Sequence, residues 1–225
     1  MFVRIIDMGK NKIITSEQAK VLDQIRQNDY LRTNFYFTGG TALSEYYLQH
    51  RYSEDLDLFT EKPYQQDLIV DFIRDLCMKN RWTYELKTIE MLMTFYLHIR
   101  TKTLKVDFSH YSCRRIKKEQ VDRGLVIDSL MDIGINKITT LFQRTQVKDF
   151  VDCYFLFHKL SIWDLIYGAK VKFGQEIEPW LLATEFTNVN KFTELPRMIK
   201  PLSLAQLKDY FNRLARRFAK QETKE

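Results

Sequence analysis

The sequence predicts an α+β fold, with a mixed sheet flanked by helices and then a mainly helical C-terminal part. Three observations carry this. "FYFTGG" is an aromatic, strand-like run that stops at two adjacent glycines in a chain with only seven. "EDLDLFT" alternates with period two, and "WTYELKT", "LMTFYLHIR" and "TLKVDFSH" are strand-like. After "CRRIKKEQVDRG" the texture changes, and from about Ile127 helical spacing dominates. The change falls between Lys117 and Leu130. It divides the chain into an α/β core over residues 1–125 and a helical unit over residues 126–225.

The elements follow in order. "TSEQAKVLDQIRQN" reads as a helix, with Thr15 and Gln18 as a capping box and Ala19, Leu22 and Ile25 at helical spacing. "TNFYFTGG" is the first strand. "TALSEYYLQH" is a short helix beginning just after Gly40. "YQQDLIVDFIRDLCMKN" is amphipathic, with Leu68, Phe72, Ile73 and Leu76 on its apolar side. The later helices are "GINKITTLFQRT", "KDFVDCYFLFHKL", "SIWDLIYGAKVKF", "EPWLLATEF" and "LSLAQLKDYFNRLARRFAK". The tail "QETKE" is expected to fray.

Composition narrows the function classes. The chain has 225 residues and 45% hydrophobic content, enough for a substantial core. Its net charge of +6 allows an anionic partner such as RNA or a nucleotide without requiring one. Cys77, Cys113 and Cys153 are odd in number and lack metal-site spacing, so a reducing, cytoplasmic setting is expected. No apolar run has the length of a signal peptide or a membrane span, so a soluble protein with no membrane partner is expected. His98, His110 and His158 show no ligand spacing.

The chemistry concentrates in "FYFTGGTALSEYYLQHRYSEDLDLFT". On a strand, residues i and i+2 share a face, so Asp55 and Asp57 sit side by side while Leu56 and Leu58 face the core. Two adjacent carboxylates repel, and a divalent cation offsets the repulsion; oxygen ligation suits Mg²⁺ or Mn²⁺. A solvated acidic face is the plain alternative. Gly39, Gly40 and Thr41 would open a helix with bare backbone amides and a hydroxyl, an arrangement that suits phosphate. A tight turn alone would also explain the glycines.

Gly39-Gly40-Thr41, followed fifteen positions after Gly40 by Asp55-x-Asp57, resembles the signature of polymerase-β-type nucleotidyltransferases. The fuller wording "GGTALSEYYLQHRYSEDLDLF", above all His50-Arg51-x-Ser53-x-Asp55-Leu56-Asp57, resembles the AbiEii/AbiGii-type nucleotidyltransferase toxins. "NKITTLFQRTQVKDFVDCYFL" is similar to a second segment of that family. The resemblance implies a polymerase-β-like core, an NTP substrate and a third carboxylate on a neighbouring strand, for which Asp107 is the candidate. It implies that Asp55, Asp57 and Asp107 hold the metal and perform nucleotidyl transfer, releasing pyrophosphate. It also implies the toxin half of a bacterial toxin–antitoxin or phage-defence pair. An antitoxin partner would then exist, and the acceptor would be RNA, tRNA among the options, or protein.

On one continuous helix, Lys137, Arg144, Lys148 and Asp152 would line a stripe, rotated by roughly −20°, +20° and +60° from Lys137. Such a stripe could bind the triphosphate, or it could be a solvated face with ordinary ion pairs. "RTQVKD" also allows a turn, with Asp149 near a new helix start. Lys137 and Lys148 are ranked as nucleotide ligands from the resemblance. Asp149 and Asp152 are read as orienting these bases or bracing the junction, Arg51 as binding phosphate or supporting the acidic strand, and His50 as structural. "CRRIKKEQ" and "NRLARRFAK" read as solvated basic surface, with RNA contact as the alternative. The competing reading for the whole chain is a non-catalytic nucleotide-sensing or partner-binding module on the same scaffold.

Overall fold

The computed structural model describes residues 13–117 and 119–220, so the tail Gln221–Glu225 lies outside the described residues. Helix α1 (Ser16–Gln27) starts at the expected box. The Thr15 hydroxyl accepts from the Gln18 amide at 3.2 Å, and the Gln18 side chain accepts from the Thr15 amide at 2.9 Å. Val21, Leu22 and Ile25 are fully buried. After α2 (Asp29–Asn34), strand β1 (Tyr36–Thr38) ends at the glycine pair. The helix beyond it begins at Gly39, not after Gly40. It runs as α3 (Gly39–Ala42) and continues as a π-helix over Leu43–Leu48. Strand β2 (Leu56–Thr60) returns antiparallel to β1.

Helix α4 (Gln66–Asn80) buries Ile69, Ile73, Leu76 and Cys77. The expected apolar face is therefore rotated: Leu68 is 39% exposed and Phe72 half-buried. The sheet continues through β3 (Thr83–Ile89), β4 (Leu92–Ile99) and β5 (Lys102–His110). Two short strands, β6 (Gln120–Asp122) and β7 (Leu125–Ile127), follow in a stretch where the sequence led to no strand being expected. They form a hairpin around Arg123 and Gly124, both with positive φ (49° and 85°), as a two-residue turn between right-twisted strands requires. The strand order is β3-β4-β5-β2-β1-β7-β6, with β2/β5 and β1/β7 parallel and the other pairs antiparallel.

The C-terminal half comprises α5 (Leu130–Gln143), α6 (Val147–Phe157), α7 (Ile162–Phe173), α8 (Pro179–Thr187) and α9 (Leu204–Ala219). One apolar cluster joins the sheet to α1 and α4 through Leu22, Ile25, Ile73, Phe95 and Phe108. A second gathers Phe150, Phe186, Phe211 and Phe218, with Phe150 and Phe211 ring centroids 5.0 Å apart. Each such buried side chain contributes about 1.5–3 kcal/mol. Phe155, Phe157 and Leu160 pack against both clusters, so the end of α6 ties the helices to the sheet. No helix among the described residues is long and apolar enough to cross a membrane.

Candidate active site

The parallel pairing of β2 and β5 puts Asp57 directly beside Asp107, while Thr38 of β1 is register partner to Asp57 on its other side. Strand alternation does the rest. Leu56 and Leu58 are fully buried on the core face, and Asp57 stands on the opposite face. Asp55 falls one residue before β2, and its side chain keeps 36% exposure. All three carboxylates line one cleft of about 650 Å³.

Burial, together with the charges of Asp107 and Asp55, pushes the Asp57 carboxyl up to about 6. Lys105, two residues before Asp107 on the same face, places Nζ 2.5 Å from Asp107 Oδ2. Burial opposes the Lys105 charge, but Asp107, Asp55 and Asp57 outweigh it and raise its pKa. Asp107 Oδ1 is buried without a hydrogen-bond partner. An oxygen-only pair with one uncommitted acceptor and mutual repulsion fits a divalent cation that completes its shell with water or phosphate. Among the described residues, no group of three His, Cys, Asp or Glu side chains is placed to hold a metal ion, so the fit rests on the carboxylate pair with water or phosphate.

The glycine pair meets a steric demand that its spacing in the sequence did not show. A Cβ on Gly39 (φ +74°) would lie 1.9 Å from Asp57 Oδ2, and one on Gly40 would lie 2.7 Å from Arg51 Nη2. The glycines therefore make room for Asp57 and Arg51, although both also border the cleft. The expectation that Thr41 offers a hydroxyl to phosphate is corrected. Thr41 is fully buried, and its Oγ1 donates to the Asp55 carbonyl. Gly39→Ala is expected to cost about 2–4 kcal/mol in urea unfolding, because left-handed backbone strain of about 1 kcal/mol adds to the Asp57 collision. Gly174→Ala, at φ +65° with nothing within 4 Å of its Cβ, should show the backbone part alone.

The basic side of the cleft is assembled across a helix break. Arg144 is extended (φ −156°, ψ 153°) between α5 and α6, so the single stripe through Lys137, Arg144, Lys148 and Asp152 does not exist. Buried carboxylates connect the two helices. Lys137 Nζ lies 2.8 Å from Asp149 Oδ1 and 2.6 Å from Asp152 Oδ2. Arg144 Nε donates to Asp149 Oδ2 at 2.8 Å. Asp152 also accepts from Arg51 Nε at 2.6 Å and Nη2 at 2.8 Å, and bonds to His50 Nε2 at 2.7 Å. Burial opposes the charge on Asp152, yet Arg51 and Lys137 hold its carboxyl well below the usual range. Two of the three Lys137 N–H directions are thus committed, and the ammonium still borders the cleft. Lys148 Nζ is 3.8 Å from Asp55 Oδ2.

Three side chains escaped the sequence reading. Lys105 was legible as a same-face neighbour of Asp107. Asn136, the residue immediately before Lys137 on α5, lines the cleft with its Oδ1 buried and unpartnered. Asp128 follows β7, is fully buried, and accepts from Thr38 Oγ1 at 2.8 Å, bracing the residue before Gly39. Burial pushes its carboxyl up to about 6. Only the unrecognised β6–β7 hairpin brings Asp128 there.

Comparison with known proteins bears on the fold and the family. An uncharacterized protein of Aquifex aeolicus (strain VF5) is 33% identical over 156 residues, covering 68% of this chain and 70% of that protein. The crystal structure of JHP933 from Helicobacter pylori superposes with a TM-score of 0.56 at 19% identity, covering 92% of this chain and 93% of that one. An H. pylori protein provisionally termed a nucleotidyltransferase superposes equally (0.56, 20% identity, 94% of this chain, 99% of that one). These two likenesses show the fold. The model of the nucleotidyl transferase AbiEii toxin family, a type IV toxin–antitoxin system, matches residues 20–224, and the chain belongs to that family of nucleotidyltransferases.

Proposed function

We propose that the cleft transfers a nucleoside monophosphate from an NTP to an RNA acceptor, tRNA being one candidate, and releases pyrophosphate. The reading extends to a Mg²⁺- or Mn²⁺-dependent toxin that acts beside a cognate antitoxin, with defence against phage as one setting. The carrying observation is the side-by-side placement of Asp57 and Asp107 on parallel strands, at the floor of a cleft walled by Lys137, Arg144 and Lys148.

Asp57 and Asp107, with Asp55 at the rim, would hold the cation. When bound, it supplies charge neutralisation and Lewis-acid polarisation of phosphate oxygens. The acceptor hydroxyl forms the new O–P bond at the α-phosphorus, and the bond to the β-phosphate oxygen breaks. Asp107 Oδ1, the uncommitted oxygen, would face the cation while Lys105 fixes the other oxygen, and the hydroxyl proton leaves to water. Arg144 and Lys148, with the remaining Lys137 N–H, face the charge that develops on pyrophosphate. Asp149 and Asp152 position these bases, and Arg51 supports the floor beneath Gly40.

The test is incubation with each α-labelled NTP, Mg²⁺ and total RNA, beside the Asp55→Ala/Asp57→Ala protein. Labelled RNA should appear with at least one NTP and vanish with the double variant or with EDTA. Label that persists in the double variant would reject this site, and label on protein alone would reject the RNA acceptor.

A further inference from the structure

A second hollow, of about 530 Å³, shares no lining residue with the cleft. It forms where the end of α4 and the β4–β5 turn meet the start of α1. Lys20, Arg81, Arg100 and Lys102 line it, against a single carboxylate, Glu17. All four cations are exposed, and among the described residues none forms an ion pair. Lys20 Nζ lies 5.9 Å from the centre of the Trp82 ring, which forms part of the wall.

Surface cations are ordinarily either paired or scattered. Here four unpaired ones come from three separate chain segments and converge on a concavity with an aromatic wall. Two of them also occupy unfavourable backbone. Arg81 and Arg100 sit at φ +57° and +54°, a region where glycine is at ease and a side chain costs about 1 kcal/mol. Both positions carry a charged side chain where glycine would fit the backbone without strain.

We propose that this hollow docks the phosphate backbone of the RNA acceptor. The proposal rests on the reading of the cleft above and gives the acceptor class a place on the surface. Lys102 and Asp107 lie on the same strand, five residues and roughly 17 Å apart at strand rise. Alternation puts Lys102 on the helix-covered face and Thr103, Lys105 and Asp107 on the cleft face. A strand held at the hollow rounds the β4–β5 turn to bring its end to Asp107. Repeating phosphates match several separated cations in a way that a single small anion does not.

The test uses the full chain with Arg81→Gly, Arg100→Gly and Lys102→Gln combined. Glycine suits both positive-φ sites, so the fold should survive, as equal urea midpoints would verify. Lys20→Gln/Lys102→Gln is the companion variant that leaves the turns untouched. The probe is a fluorescein-labelled hairpin RNA with a single-stranded 3′ tail, read by anisotropy across a salt series. The triple variant should bind roughly tenfold or more weakly near 0.1 M salt, with the log–log salt slope shallower by about 2–3. In the transfer assay, KM for RNA should rise while kcat and KM for NTP stay unchanged. Asp57→Asn should bind the RNA like wild type, so loss of transfer and loss of docking are separable. RNA binding through the hollow without any transfer would sink the activity and leave the dock standing. Equal affinity and slope for wild type and both variants would overturn the dock, as would wild type that binds only a polyglutamate peptide.

Discussion

Asp57→Asn is expected to abolish nucleotidyl transfer, by about 10³-fold or more, and at the same time to stabilise the metal-free protein at neutral pH. The activity loss follows from removing one of two carboxylates that share the cleft floor, because charge stabilisation in a water-poor site carries much of such catalysis. The stability gain follows from linkage. The Asp57 carboxyl titrates near 6 in the folded chain, against 3.8 as its ordinary value. The folded state therefore binds this proton more tightly than the unfolded state. The associated stability is fully present below about pH 4 and lost as pH rises through about 6, to a total of ~3 kcal/mol. Asn carries no charge to desolvate, so at pH 7.5 with EDTA the variant should exceed wild type by about 1–3 kcal/mol, worth several degrees in Tm. Near pH 4.5 the advantage should shrink toward zero. Mg²⁺ should raise the wild-type Tm and leave the variant nearly unmoved. A stability difference that ignores pH would show that Asp57 is not held under repulsion.

Asp152→Ala should do the opposite, destabilising the fold by about 3–5 kcal/mol, roughly 10 °C in Tm. Its carboxylate is fully buried and serves Arg51, Lys137 and His50 together. Without it, two cations remain buried near each other with only Asp149 between them and an unpaired state. Because this carboxyl titrates well below the ordinary range, its contribution is present above about pH 4 and lost as pH falls. Transfer should also fall, since the guanidinium under Gly40 loses its anchor. Asp71→Ala, which opens the exposed Arg74–Asp71 pair, is the comparison and should stay within measurement scatter in urea. An Asp152→Ala protein as stable as wild type would mean that the buried carboxylate does not brace the helix junction.

Much of the architecture was readable in advance because it is written in local patterns. Period-two alternation marked β2 with Leu56 and Leu58 inward and the Thr15–Gln18 box marked the start of α1, whereas Asp107 was singled out by the family resemblance. Local patterns fail where a few residues are governed by distant partners. Strands β6 and β7 have three residues each, too few to show a period, and β7 exists because β1 offers it a parallel edge. The Arg123-Gly124 pair was the one signal available, a two-residue turn ahead of the apolar run Leu125–Ile127. The α4 face was misjudged because Leu68 and Ile69 are equally apolar, and only the sheet decides which is covered.

By itself, the sequence determined which residue types stand at which spacing: two acids two positions apart at the start of a strand, a third on another strand, and a glycine pair ahead of them. Tertiary structure alone decided their company. It put Asp107 in register with Asp57, gave one Asp107 oxygen to Lys105, and filled the space over Gly39 and Gly40 with Asp57 and Arg51. The physical reason is range. Backbone propensity and side-chain period act over a few residues, whereas burial and electrostatic pairing act between groups up to about a hundred positions apart, as from Arg51 to Asp152. Those partners become neighbours only once the sheet and helices have closed around them.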